Sequence, residues 1–279
     1  MVFRFQKMNG AGNDFVVVDN RGGGVRATPR IVRALCDRKR GVGADGVILV
    51  ETEPHADYRM RYFNSDGGEA EMCGNGARCA ALFASKLGLG GPEGEGIRLR
   101  FRAQPGLMTA LVQGGRVAVS MTDAVGLRTN LSLALSGGRE IVHFVNTGVP
   151  HAVVVTDDWD SLTEERVVKH GREIRLHQEF SPDGANANFV RVGSGGVVSI
   201  RTYERGVESE TLACGTGSIA AAVILSHLRL VESPVSVMTR GNELLRISFR
   251  KTTVGATDVV LEGPADVNFD GVMEVSDKE

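Results

Sequence analysis

The 279-residue sequence contains no apolar run near the ~18 residues that a membrane-spanning helix needs. It has no excess of either charge. Lys and Arg number 32 against 34 Asp and Glu, a formal net charge of −2 with the signs interspersed. Nucleic acid and an anionic membrane are therefore not expected partners. The opening MVFRFQKMNGAGNDF lacks the basic-then-apolar plan of a secretory leader, so the expected compartment is the cytoplasm. Lysine is scarce, six in all, and none lies in the blocks around the cysteines or Arg205. That argues against a pyridoxal Schiff base, and no cofactor is expected. Cysteine is also scarce: Cys36, Cys73, Cys79 and Cys214, with no CxxC and no His at short ligand spacing. A metal framework is thus not expected, and in a reducing compartment the four are free thiols. What the chain does have is an apolar fraction of 42% and 36 glycines. The first is enough for a real core, in one large domain or two medium ones.

The chain carries an internal repeat. Gly10, Asn13, Val16, Val17 and Asp19 match Gly148, His151, Val154, Val155 and Asp157. Tyr62, Cys73, Gly74, Gly76, Ala80 and Ala81 match Tyr203, Cys214, Gly215, Gly217, Ala221 and Ala222. The spacing is nearly constant, as in a duplicated α/β unit with its boundary near 120–135. The expected halves are 1–122, carrying Cys73, and 123–279, carrying Cys214, with the last residues packing back on the first half. Two copies facing each other across an approximate two-fold axis would leave a cleft, a common place for a ligand.

Strands are expected at 2–6, 14–19, 46–51, 58–63, 97–103, 107–112 and 116–121, with a loop over 88–96. Thr28-Pro29 reads as a helix start, and the helix is expected to run to Arg40 with Gly41 as its stop. The second half offers strands at 141–146, 152–156, 187–192, 197–203, 235–239, 244–250 and 257–262, and a helix at 161–171. Asn75–Leu87 and Gly215–Leu228 are apolar and alanine-rich, as buried helices are. The fold class is α/β (α+β), strand-rich, with one central helix per half. Cys36 and Cys79 fall on apolar faces as core residues.

Each central helix opens with Cys-Gly-x-Gly: Cys73-Gly74-Asn75-Gly76 and Cys214-Gly215-Thr216-Gly217. Glycine allows close approach of main-chain N–H groups to a ligand. The first N–H groups of a helix lack internal partners and lie at its positive end, where a carboxylate binds and a thiolate is favoured over a thiol. Two such turns could share one substrate carboxylate. One sulfur would take an α-proton and the other would donate one to the opposite face. GVGADG (41–46) fits a dinucleotide fingerprint by letter, but it is expected to follow a helix and open a strand, the reverse of what that site needs.

The stretches KMNGAGNDFVVVD (7–19), FNSDGGEAEMCGNGARC (63–79), GANANFV (184–190) and YERGVESETLACGTGS (203–218) resemble the diaminopimelate epimerase family. They come in that family's order over nearly the whole length. The resemblance implies two pseudo-symmetric halves, each a curled mixed or antiparallel sheet around a central helix, with the active site in the cleft between them. It implies a homodimer, no cofactor, and epimerisation of L,L- to meso-2,6-diaminopimelate for lysine and peptidoglycan-precursor synthesis. By resemblance Cys73 deprotonates the L,L form and Cys214 the meso form. Gly74, Asn75, Gly215 and Thr216 hold the reacting carboxylate, and Glu204 and His151 lie near the reacting amine. Asn13, Asn64, Asn186 and Arg205 match substrate-binding positions, Arg205 as a fork for the distal carboxylate. Two positions depart from the family pattern: Val149 stands where asparagine is common, with Asn146 as the nearby substitute, and Gly46 stands where glutamine is common.

Read from the residues alone, several of these positions have plainer roles. Asn13 and Asn64 suit turns, His151 suits a satisfied core, and Glu204–Arg205 suits a surface ion pair. Two rival functions stay open. One is a racemase of the same fold acting on another amino acid such as histidine. The other is a thiol redox or binding protein that uses Cys73 and Cys214 as a reversible disulfide.

Overall fold

The computed structural model describes residues 2–70 and 73–275. Glu71 and Met72 of the first cysteine block and residues 276–279 lie outside that description. The chain divides into two compact units, Met1–Ser120 with Glu262–Glu279, and Met121–Leu261. The repeat predicts a division at 122/123; the compact units divide at 120/121, and the segment from Glu262 belongs to the first unit.

In the first unit, β1 (Val2–Gly10) and β2 (Asn13–Asp19) form a hairpin across Ala11 (φ 59°) and Gly12 (φ 96°). Two consecutive positive φ angles are what a two-residue hairpin matching the strand twist requires. Helix α1 (Pro29–Cys36) starts at Thr28, whose side chain accepts the Ile31 N–H at 3.4 Å. It stops at Cys36 and not at the expected Arg40. Asp37 Oδ1 accepts the N–H groups of Lys39 and Arg40, both at 2.8 Å, a local turn that competes with another helical turn. Strand β3 (Gly46–Glu51) runs parallel to β2 and antiparallel to β4 (Tyr58–Asn64). Helix α2 (Gly74–Lys86) follows. Next come β5 (Gly91–Glu93), β6 (Gly96–Ala103), β7 (Gly106–Gln113) and β8 (Arg116–Ser120). The 88–96 stretch, expected as loop, therefore contains a short strand, β5, that pairs back on β6.

The second unit begins with β9 (Val125–Leu135) in the region expected to be a boundary. Only Leu133 of this strand is buried, so it carries no alternation to reveal it. Strands β10 (Gly138–Asn146) and β11 (Pro150–Val155) lead to helix α3 (Glu164–Arg175). Then follow β12 (Asn186–Val192), β13 (Val198–Glu204), the short β14 (Ser209–Thr211) and helix α4 (Gly215–His227). Strands β15 (Val235–Met238), β16 (Leu244–Thr252) and β17 (Gly255–Pro264) as far as Leu261 close the unit. One further strand, β18 (Asp266–Glu274), pairs antiparallel with β1 of the first unit. It too is mostly exposed, and its residue pattern does not predict a strand.

The duplication is visible in the strand pairing. β1–β2 is antiparallel, β2–β3 parallel, β3–β4 antiparallel, β4–β6 parallel and β6–β7 antiparallel. The same series recurs as β10–β11, β11–β12, β12–β13, β13–β15 and β15–β16. In each series the central helix lies in the chain before the parallel return strand. Helix α2 packs against β1–β4 and β6–β8, and α4 against β10–β13, β15 and β16. Ten of thirteen α2 residues and eleven of thirteen α4 residues are buried, so neither helix has a solvent face. Small side chains permit this. At Gly10 a Cβ would lie 2.6 Å from Asn75 O and 3.1 Å from Cys79 Sγ, so the end of β1 meets α2 only because that residue is glycine.

Candidate active site

Both central helices begin the same way. Cys73 is the N-cap of α2 in extended conformation (φ −135°, ψ 110°), and its Sγ accepts the Gly76 N–H at 3.4 Å. Cys214 caps α4 (φ −126°, ψ 110°), and its Sγ accepts the Gly217 N–H at 3.4 Å. Sulfur thus stands where an oxygen cap ordinarily does, at the positive end of each helix. Gly74 and Asn75 in α2, and Gly215 and Thr216 in α4, occupy the first two helical positions, where main-chain N–H groups have no intrahelical acceptor. Cys214 is 7% exposed and its sulfur also lies 3.4 Å from Thr216 Oγ1; Cys73 is partly exposed. The other two thiols are of another kind. Burial pushes Cys36 and Cys79 up to about 12, which keeps them protonated and inert.

In the first unit a hydrogen-bonded chain runs behind Cys73. Arg78, fully buried, donates from Nη2 to Asn75 Oδ1 (2.9 Å), from Nε to Pro264 O (3.1 Å) and from Nη1 to Gly74 O (3.4 Å). Asn75 Nδ2 donates to Asn13 Oδ1 at 2.6 Å, and Asn13 Nδ2 donates to Asp45 Oδ2 at 3.0 Å. Arg38 then bridges Asp45 and Asp14, and Lys7 pairs with Asp14 at 2.7 Å. Burial raises the Asp14 carboxyl, but the Arg38 and Lys7 hydrogen bonds and charges outweigh it and hold it at about 2. A cation at one end and an anion at the other leave the two amides one orientation each. Asn64 ends β4, exposed, with its main chain closing the turn to Gly67 and Gly68. Among the described residues no hydrogen bond joins it to the Asn13–Asn75 pair. Gly46 has no room for a side chain, since a Cβ would meet Phe63 O and lie 2.5 Å from Tyr62 Cε2.

In the second unit, His151 on β11 and Asn186 on β12 are strand partners, and Glu204 ends β13 one step beyond the Ala187–Tyr203 pair. Asn186 is buried; its Nδ2 donates to Pro150 O at 3.1 Å and its Oδ1 accepts the Arg205 N–H at 2.8 Å. Thr211 Oγ1 donates to Glu204 Oε2 at 2.9 Å. The Arg205 side chain is partly exposed, and its Nη1 donates to Asp183 O at 3.2 Å. His151 is fully buried with Nδ1 3.1 Å from Asn188 Nδ2. Burial, with Arg205 adding to it, lowers the imidazole to about 3, so it is neutral at physiological pH. Thr147 Oγ1 donates to Thr216 O at 3.2 Å. At the Val149 departure, Asn146 Oδ1 accepts the Gly148 N–H at 2.9 Å and so serves the turn.

Arg78, Asp45, Asn188 and Thr147 escaped the sequence reading. Arg78 had a signal, a lone charge inside the alanine-rich run 77–84. So did Asn188, which sits two residues after Asn186 and so on the same face of a strand. Among the described residues no cluster of His, Cys, Asp and Glu could hold a metal ion, and no helix is long and apolar enough to cross a membrane.

These features define a class first: two-unit α/β proteins in which the strands of each unit pack around a central helix. Solved structures share the fold. A hydroxyproline epimerase from Agrobacterium vitis is similar with a TM-score of 0.75 at 16% identity, covering 97% of this chain and 92% of that one. A phenazine biosynthesis protein of the PhzF family from Bacillus anthracis is similar with a TM-score of 0.74 at 14% identity, covering 99% and 100%. The chain belongs to the diaminopimelate epimerase family, whose model matches residues 5–126 and 143–266. It is 42% identical to the diaminopimelate epimerase of Chlorobaculum tepidum over 95% of this chain and 99% of that protein. It is 41% identical to that of Aquifex aeolicus over 96% of each.

Proposed function

We propose that the protein is a pyridoxal-independent isomerase that interconverts L,L- and meso-2,6-diaminopimelate, with Cys73 and Cys214 as the acid–base pair. The observation that carries this is the matched cap: two sulfurs, each accepting an N–H at the start of a buried helix, in a chain of this family. The Cys73 thiolate takes the α-proton of the L,L form as the C–H bond breaks and its electron pair passes into the carboxylate. The free N–H groups of Gly74, Asn75, Gly215 and Thr216 meet the charge that accumulates there. The Cys214 thiol then gives its proton to the opposite face, leaving thiol and thiolate exchanged. The meso form reacts in reverse. Asn13, Asn64, Asn186, Glu204, Arg205 and His151 orient the rest of the substrate, with the Arg205 guanidinium on the distal carboxylate. The reaction belongs to lysine and peptidoglycan-precursor synthesis, in the cytoplasm, by a homodimer. Incubation with L,L-diaminopimelate, meso-diaminopimelate and histidine in deuterated water, followed by NMR, tests the substrate. Deuterium should enter the α-position of both diaminopimelate isomers. Exchange into histidine without exchange into either isomer would contradict the assignment, as would full activity with the two sulfurs joined as a disulfide.

A further inference from the structure

His151 and Asn188 are both fully buried in the second unit. Asn188 Nδ2 lies 3.0 Å from Ala152 O and 3.4 Å from Asn186 O. Main-chain carbonyls only accept, so the atom facing them must be the amide nitrogen. Its partner atom agrees: Oδ1 accepts the Thr202 hydroxyl at 3.0 Å. With Asn188 thus oriented, the nitrogen donates to His151 Nδ1 at 3.1 Å, and the imidazole hydrogen resides on Nε2. Nε2 is buried and has no hydrogen-bond partner among the described residues. A buried donor left unmet is unfavourable, and such groups call for an explanation. The surroundings say what acceptor suits it. Helix α4, whose first turn follows Cys214, packs on β11, and Asn188 Oδ1 fills the space where a Gly217 Cβ would stand. The Arg205 charge also reaches the ring. An N–H needs an acceptor, which an ammonium cannot be, and the positive end of a helix favours an acceptor that is an anion.

We propose that Asn188 is a positioning residue that holds His151 as the neutral Nε2–H tautomer, so that His151 donates a hydrogen bond to a carboxylate of the bound amino acid and carries no proton through the reaction. This rests on the reading of the site as one for an amino acid. It assigns proton transfer to the two sulfurs alone and gives the histidine a binding task.

The direct test is ¹⁵N NMR of histidine-labelled protein without substrate, with the His151→Gln variant identifying the ring among six histidines. The expected spectrum has Nδ1 unprotonated and Nε2 protonated, and the Nε2–H signal moves when diaminopimelate is added. A ring protonated on Nδ1, or on both nitrogens, at neutral pH overturns the proposal. Asn188→Asp should move the hydrogen to Nδ1 and raise KM more than it lowers kcat. Kinetics give the second arm. The glutamine amide supplies an N–H near Nε2 but cannot carry a proton, so His151→Gln should keep turnover within about tenfold. His151→Leu should raise KM by about tenfold to a hundredfold, as loss of a hydrogen bond to a charged group does. If the glutamine variant melts like wild type yet is as inactive as the leucine variant, His151 carries a proton and the proposal fails. Should wild-type enzyme exchange no diaminopimelate proton, the substrate reading fails while the tautomer result still stands or falls alone.

Discussion

Helices α2 and α4 open with the same sulfur cap, yet the polar groups behind them differ in kind. Behind Cys73 stand ions: Arg78, Asp45, Arg38, Asp14 and Lys7, joined through two amides. Behind Cys214 stand neutral groups: Asn188, His151, Thr202 and Thr147. Both arrangements fix the same helix start. Charge allows one buried arginine to bind three acceptors at once, but ties the first unit to the ionisation of its carboxylates. The neutral groups behind Cys214 carry no such dependence of their own and instead require an uncharged imidazole.

The comparison can be broken at its shared feature first. Cys73→Ala and Cys214→Ala should each reduce epimerisation by about 10²–10⁴-fold or more, the range of a lost acid or base, when product isomers are resolved chromatographically. An effect confined to one variant would make the two caps unequal. The next effect separates the units by pH. His151 stays neutral in the fold down to about 3, whereas the unfolded chain takes up its proton near 6.5. Stability should therefore fall as pH drops from 6.5 toward 3, by roughly 3–5 kcal/mol, with buried His143 lowered in the same direction. Urea unfolding at stepped pH should show that slope flattened in His151→Gln and intact in Asp14→Asn. Third, Arg78→Leu leaves Asn75 Oδ1, Gly74 O and Pro264 O without their donor, and should cost about 3 kcal/mol in the same assay. The smallest effect belongs to Asp14. Its folded value is about 2 against 3.8 unfolded, so its contribution is complete above 3.8 and lost as pH falls toward 2. Solvent screening leaves about 1 kcal/mol, which Asp14→Asn should remove.

Much of this fold was legible because the repeat is carried by short-range chemistry. Glycine pairs, alanine-rich helices and the Cys-Gly-x-Gly turns leave marks at fixed offsets. Strands β9 and β18 left none: their residues are mostly exposed on both faces, and pairing with β10 and β1 defines them. The early end of α1 depended on one Asp37 side chain choosing a turn over the helix. At the site, the cysteines and their glycines could be read directly. Gly46 could be seen to depart from the family pattern, but not that Tyr62 and Phe63 occupy the room. Arg78 and Asn188 act through partners distant in sequence, Pro264 for one and His151 for the other, and no local pattern announces such pairs.

The central claim is that two sulfurs, one for each face of the α-carbon, do the proton transfer. Early-turnover label placement tests it most directly. L,L-diaminopimelate is converted in deuterated water to a few per cent, and α-deuterium is measured separately in product and residual substrate. Two bases predict meso product carrying solvent deuterium at the inverted centre while residual L,L substrate keeps its protium. Protium retained in the product, passed from one face to the other by a single group, would contradict the account.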